Sequence, residues 1–396
     1  MRRIEPARRR YAWGSATAIP AILGVADDGD PWAEAWYGSH PGGPARITGG
    51  RTLSDLIEAE PERLLGDDVI RRFGFQLPFL LKLIAPEQPL SLQVHPSQGQ
   101  AAEGYALEDE AGVALDHPAR NYKDTNHKPE MVLALTRFQA VAGFRAPRRA
   151  VEVLAGLDSI LARRMRRTLR LNPTRYGIRQ VFSDVVSAAT RPSRQEIGDL
   201  IAEIAARFEA GTSPSLRVDS NVLKMAATFP GDPGVAAALL LNPVTLQPGE
   251  ALFVPAGSVH AYISGLGVEV MASSDNVLRA GLTAKHIDVP EMLACVDYVA
   301  APPVRPAPEY LSRATRAYYA PVDDFELMVT TVVVTDGRLP VPGRGPRILL
   351  AIEGAVTLVT QADSQTLAQG EAVFVGADER SLSVEGEGTL VQADVP

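Results

Sequence analysis

Only one cysteine, Cys295, occurs in 396 residues. An intramolecular disulfide is therefore excluded, thiolate metal ligands are out of reach, and a reducing compartment is expected. Long apolar runs are missing as well: nothing approaches a bilayer span, and the basic opening M-R-R-I-E-P-A-R-R-R has no apolar stretch suited to a signal peptide. Cytoplasmic location without a membrane partner follows as the expectation. There is no basic excess, since 47 acidic against 39 basic residues leave a net charge of −8, which argues against general nucleic-acid binding. The cluster Arg2, Arg3, Arg8, Arg9 and Arg10 reads as a solvated terminus, and no histidine follows His286.

What is present begins with Gly249 to His260, G-E-A-L-F-V-P-A-G-S-V-H. Gly249 after Pro248 sets a tight turn, Leu252 to Val254 form a short apolar strand, and Pro255 with Gly257 reverse the chain so that His260 faces inward. Glycine, proline, glycine and histidine at these spacings make the turn-strand-turn-histidine signature of a cupin-type β-barrel. An inward histidine there is a natural metal ligand. In Ser91-Leu92-Gln93-Val94-His95, the two-residue period of a strand puts Ser91, Gln93 and His95 on one face. In His127-Lys128-Pro129-Glu130-Met131-Val132, the proline opens an apolar strand with Glu130 at its mouth. Gln93, His95, Glu130 and His260 together offer two imidazoles, one carboxylate and one amide. That set suits one zinc per chain, or another divalent first-row metal, acting as a Lewis acid.

These motifs resemble type I mannose-6-phosphate isomerases. The resemblance rests on Q-P-L-S-L-Q-V-H-P, Y-K-D-T-N-H-K-P-E-M from Tyr122 to Met131, G-S-V-H-A-Y from Gly257 to Tyr262 and S-D-N-V-L-R-A-G-L-T from Ser274 to Thr283. Y-A-W-G-S at Tyr11 to Ser15 and E-A-W-Y-G-S-H-P at Glu34 to Pro41 extend it to the amino terminus, so the motifs run from about residue 11 to 290. The resemblance implies an aldose-ketose isomerase that interconverts mannose 6-phosphate and fructose 6-phosphate through a cis-enediol. Its small-molecule partner is a sugar phosphate, and a monomer is expected. A metal-dependent cupin oxygenase and a non-catalytic sugar-phosphate-binding cupin are the alternatives.

The expected fold is mainly β with a helical insertion: two cupin-like jelly-roll barrels plus a helical domain. Residues 1–147 and 221–299 form the discontinuous metal-binding domain, and 148–220 the insertion, where Ile197, Leu200, Ile201, Ile204 and Phe208 follow helical spacing. Residues 300–308, A-A-P-P-V-R-P-A-P, make a stiff extended linker. Residues 309–396 form a second barrel, because Gly370 to Ala377 repeats Gly249 to Ala256 at an offset of 121, where His260 becomes Ser381. That barrel is expected to hold no metal. The arginines between Arg163 and Arg170 read as a solvated helix face.

An enediol route needs a base and an electrophile. Arg279 is permanently charged, so it can stabilise an enediolate or hold phosphate but cannot serve as the base. Lys128, His127, Glu269 and Asp275 are the rivals for that role. Tyr262 shares the strand face of His260 and is a candidate substrate contact, as is Ser91. By resemblance, Lys82 and Lys285 join them as phosphate or acid-base candidates.

Overall fold

The computed structural model describes all 396 residues. Two antiparallel sheets carry the motifs. One has six strands in the order Ala251–Val254, Glu130–Ala134, Gly267–Ala272, Phe79–Ile84, Glu34–Tyr37 and Ala7–Arg9. The other has five, in the order Leu278–Gly281, Leu92–Val94, His260–Ser264, Phe138–Phe144 and Leu241–Leu246. Both interleave strands from before and after the helical stretch. They pack face to face, with Val132, Ala134, Leu252 and Val254 of the first meeting Phe138, Ala140, Val244 and Tyr262 of the second in one buried cluster. Because Glu130–Ala134 is buried on both faces, Met131 and Leu133 point the other way into a separate core.

The helices run on past residue 220, the boundary read from the sequence. Pro147–Val153, Ile160–Leu171, Arg175–Val186 and Arg194–Glu209 are followed by Leu216–Thr228 and Pro233–Ala237. Gly211 and Pro214 mark a turn between two helices and not the end of the helical unit. Val218, Val222 and Met225 continue the apolar stripe beside Leu200 and Ile204, and buried Asp219 accepts from the Arg207 Nε at 2.7 Å. Ser193 caps Arg194–Glu209 in a capping box with Glu196. On Ile160–Leu171, Leu161, Met165 and Leu169 are buried, while Arg163, Arg167 and Arg170 are exposed. Arg166 caps the Leu154 and Leu157 carbonyls at 2.9 and 3.1 Å.

From Glu309 to Asp394 the chain forms most of a ten-stranded sheet. Two of its strands come from the amino-terminal region, Arg2–Glu5 and Arg46–Ile47, with Arg2 opposite Phe374. The expectation of a solvated terminus is thus corrected: Met1 and Ile4 are buried, and in the paired strand Arg2 is exposed and Arg3 partly buried. Arg3 pairs with Glu371 at 2.5 Å, Arg10 with Asp30 at 2.7 Å, and the Arg8 and Arg9 guanidinium groups lie over the rings of Trp32 and Trp36 at 4.5 and 4.2 Å. The sequence pattern of charge alone gives no sign that Ile4 anchors a strand held between Ala372–Val375 and Arg46–Ile47.

One apolar core joins this sheet to the six-stranded one, with Met131, Leu133 and Phe253 packed in the same cluster as Phe325, Leu327, Phe374 and Ala393. The repeat noted in the sequence shows as two matching turns, Gly249 at φ 84° and Gly370 at φ 86°, each feeding a four-residue strand. Tyr318 donates to the Gly249 carbonyl at 2.6 Å, and the Phe253 amide to Val304 of the proline-rich stretch at 2.9 Å. On the opposite face of the ten-stranded sheet lie four buried polar residues. Glu326 stands across from Asp394, Gln392 donates to Asp394 at 3.0 Å, and Arg347 caps the Gly343 and Glu379 carbonyls at 2.9 and 2.7 Å. Burial raises the pKa of both carboxyl groups; for Asp394 the charge of Glu326 adds to the rise.

No helix is long and apolar enough to cross a membrane.

Candidate metal centre and cavity

Strand register assembles the site as two rows of side chains, one on each sheet. In the five-stranded sheet Gln93 lies opposite both His260 and Arg279, so these three sit side by side across neighbouring strands. In the six-stranded sheet Lys82 is flanked by Trp36 and Glu269, and Glu269 by Val132. Alternation then adds His95 to the face of Gln93, Tyr262 to that of His260, Glu34 to that of Trp36 and Glu130 to that of Val132. The two rows face one another across a cavity of about 890 Å³.

At its base, ligand atoms of His95, Glu130 and His260 lie within 4.8 Å of one another, all buried. His95 Nε2 stands 3.2 Å from Glu130 Oε1, and His260 Nε2 stands 3.4 Å from Glu130 Oε2. Each ring is oriented from behind: His95 Nδ1 meets the Asn276 carbonyl at 2.8 Å and His260 Nδ1 the Ser258 carbonyl at 3.0 Å. A carbonyl only accepts, so the Nδ1 atoms carry the protons and both Nε2 lone pairs point at the carboxylate. The Gln93 amide is 3.2 Å from His260 Nε2, and a half-turn of its terminal group brings the oxygen there as a fourth donor.

These residues fit a divalent cation. His95 Nε2 and Glu130 Oε2 are buried without a hydrogen-bond partner, which would cost roughly 1–3 kcal/mol per atom if nothing satisfied them. Two neutral imidazoles, a carboxylate and an amide oxygen match zinc or a similar ion. The protonation states agree. Burial lowers the pKa of His95 to about 4, leaving it neutral. Burial alone would raise that of Glu130, but the charge of Lys128 helps to hold it well below the ordinary carboxylate range.

Above this base the cavity is charged. Lys82 Nζ is 3.3 Å from Glu269 and 3.7 Å from Glu34; burial would lower its pKa, yet Glu34 and Glu269 more than offset that and keep it charged. Burial pushes Glu269 up to about 7 against the pull of Lys82. Lys128 Nζ stands 3.5 Å from Glu130 Oε1. The buried Tyr262 hydroxyl has no hydrogen-bond partner, and burial with Glu269 nearby holds its pKa well above the ordinary range. Ser91, Asp275, Arg279 and Lys285 line the same cavity. Arg279 and Lys285 form no ion pair; burial lowers both pKa values, and the charge of Arg279 lowers that of Lys285 further.

One sequence candidate falls outside. His127 does not line this cavity: its Nε2 meets Asp324 Oδ2 at 2.9 Å, across the junction with the carboxy-terminal sheet. Lys128 turns into the cavity, whereas its neighbour turns away. Asp275 lines the cavity but stands 3.6 Å from His40 Nε2 and pairs with neither Arg279 nor Lys285.

The sequence reading gave no role to Asn276, Glu34 or Trp36. Asn276 is fully buried; its Oδ1 accepts from the Lys123 amide at 2.7 Å and its Nδ2 donates to the Asp124 and Asn126 carbonyls at 2.8 Å each, while its own carbonyl orients His95. Its place between Ser274 and Arg279, in a segment already matched to a motif, was the available signal. Glu34 and Trp36 likewise lay in a quoted motif, but only strand register shows that they neighbour Lys82.

A model of the type I phosphomannose isomerase catalytic domain matches residues 1–147. Mannose-6-phosphate isomerase of Salmonella typhimurium is 36% identical over 405 residues, covering 99% of each chain. The Homo sapiens mannose-6-phosphate isomerase is 34% identical over 406 residues, covering 94% of this chain and 92% of its own. A crystal structure of mannose 6-phosphate isomerase bound with zinc and yttrium superposes with a TM-score of 0.90 at 35% identity, covering 100% of this chain and 99% of that one.

Proposed function

From the premise that the chain belongs to the type I phosphomannose isomerase family, we propose a zinc-dependent interconversion of mannose 6-phosphate and fructose 6-phosphate by proton transfer between C2 and C1 through a cis-enediol. Membership of an isomerase family decides against the oxygenase and the non-catalytic binder. The two facing sheets are read as a cupin-type barrel that holds the site, and the carboxy-terminal sheet as a second, metal-free one.

The observation that carries the proposal is the convergence of His95, Glu130 and His260 at the base of a cavity whose upper wall holds Arg279 and Lys285. Gln93, His95, Glu130 and His260 would hold the zinc, which when bound supplies Lewis-acid polarisation of the sugar oxygens. Arg279 and Lys285, two cations without carboxylate partners, suit the phosphate and the negative charge that develops on the sugar. Glu269 is assigned the proton transfer. A base works best with a pKa near the working pH, and burial brings this carboxyl to about 7 while it faces the cavity. Lys82 holds Glu269 in place, Tyr262 offers an uncommitted hydroxyl beside it, and Ser91 can contact the sugar. Lys128, tied to Glu130, is placed to meet a sugar oxygen near the base of the cavity.

A coupled assay for fructose 6-phosphate formed from mannose 6-phosphate, run with metal analysis on the same sample, tests the reading. Turnover in a rigorously metal-free preparation, or no turnover in a zinc-loaded one, would overturn it.

A further inference from the structure

We propose that the carboxy-terminal domain takes part in turnover through an interdomain latch, Asp324 to His127, which positions the segment bearing Lys128 and Glu130; this inference rests on the isomerase reading above. His127 Nε2 donates to Asp324 Oδ2 at 2.9 Å. A carboxylate can only accept, so the direction of that bond is fixed. The Asp324 side chain is 5% exposed and that of His127 24%, so the bond is largely shielded from competing water.

Each partner is held rigidly on its own side. Asp324 directly precedes Phe325, which is wholly buried in the shared core, and the strand Glu326–Val332. The His127 amide donates to Gln98 Oε1 at 3.2 Å, and Gln98 in turn donates to the Thr125 carbonyl at 2.8 Å. From His127 the chain passes Lys128 and Pro129, whose ring restricts the backbone, and reaches Glu130 within three residues. Lys128 Nζ and the carboxylate of Glu130 then meet at 3.5 Å inside the cavity. A displacement of His127 therefore has little slack in which to dissipate before it moves both groups.

His127 and Asp324 themselves line a separate cavity of about 710 Å³, together with Arg72, Gln76, Asn126 and Pro255 among others. Little packing there replaces the bond if it is removed. Neither His127 nor Asp324 touches the catalytic cavity, so both are positioning residues.

The test uses the full-length, zinc-loaded protein with Asp324→Ala, His127→Ala and the double variant. Expected are a roughly tenfold fall in kcat from imperfect placement of the reacting groups, a KM within about twofold of the parent's, a full metal complement, and a double variant no worse than either single one. Asp324→Asn, which keeps an acceptor for Nε2–H, should recover most of kcat and guards against a variant that fails to fold. Amide hydrogen exchange across residues 127–131 should speed up in Asp324→Ala, a readout independent of any assay. Unchanged kcat and exchange, additive losses in the double variant, or a fall in kcat matched by loss of metal or of folded protein would each overturn the latch. Inactive parent protein with faster exchange in the variant would instead reject the isomerase reading and leave the mechanical link standing.

Discussion

The two turn-and-strand units at Gly249 and Gly370 began from the same local instructions and ended with opposite interiors. Both place a positive-φ glycine before a four-residue apolar strand. Past the first strand the chain delivers His260 into a ring of unsatisfied ligand atoms. Past the second it reaches Ser381, which is exposed, and the buried polar residues of that sheet are Glu326, Asp394, Gln392 and Arg347, of which Gln392 bonds Asp394 and Arg347 bonds nearby carbonyls while Asp394 Oδ1 and Arg347 Nε stay without a partner. Burial pushes the pKa of two carboxyl groups up there, where the other region gathers ligands suited to a cation. A shared strand-and-turn scaffold thus carries either a cluster of two imidazoles and a carboxylate or a buried polar cluster without imidazoles, according to the side chains its neighbouring strands supply.

The sharpest way to break this comparison is to exchange the deciding residue. His260→Ala should abolish metal binding and lower turnover by on the order of 10³-fold or more, as loss of Lewis-acid stabilisation worth several kcal/mol implies. Ser381→His should gain no second metal, because one imidazole without companion ligands does not make a site; metal analysis and the isomerase assay check both. A second stoichiometric metal in Ser381→His would show that the second interior is closer to a metal site than its residues suggest.

Next in size is the base. Glu269→Gln should lower kcat by roughly 10²- to 10⁴-fold. In the parent protein kcat should fall as pH drops through about 7, since the acting form of Glu269 is ionised and its folded pKa lies there. A pH profile that keeps this limb in Glu269→Gln would reassign the role to Lys128 or Asp275. Arg279→Ala should then cost about a hundredfold in kcat with metal content intact, by analogy with loss of a fixed oxyanion donor, and Arg279→Lys should rescue it poorly for want of the planar fork. A raised KM with kcat unchanged would confine Arg279 to gripping phosphate.

The smallest effect concerns the other interior. With folded pKa values raised, Glu326 and Asp394 bind protons more tightly in the native than in the unfolded protein. Their contribution to stability is present at low pH and is lost as pH rises through the folded values. Melting temperature should therefore decline as pH rises above the ordinary carboxylate range, and Asp394→Asn should flatten that decline by a few degrees, the scale of about 1 kcal/mol in a domain of this size. Differential scanning calorimetry across pH decides it.

How far the sequence could be read follows the same physics. Strand alternation put Gln93 with His95, Pro129 placed Glu130 at the mouth of a strand, and the Pro255–Gly257 turn faced His260 inward, because each needs only local information. The row joining His260, Gln93 and Arg279 depends on register between strands far apart in sequence, and no local pattern states it. His127 precedes the strand that opens at Glu130, and its turn towards Asp324 depends on a contact with a residue 197 positions away. The helical unit extends past 220 because Leu216–Thr228 packs its apolar stripe on Leu200 and Ile204, a contact that no local pattern states. The strand Arg2–Glu5 was missed because its arginines mask a single buried isoleucine.

That first strand also orders events in time. Its partner strand, Ala372–Val375, is made roughly 370 residues later, some 20 to 75 seconds at ribosomal speeds of about 5–20 residues per second. All four candidate zinc ligands have been synthesised once His260 is made, so metal can be captured by a nascent chain whose ten-stranded sheet is still open. A chaperone or protease would then meet a chain whose candidate metal ligands are all made, while its opening strand, beside Arg46–Ile47 on one edge, still lacks the neighbour on the other.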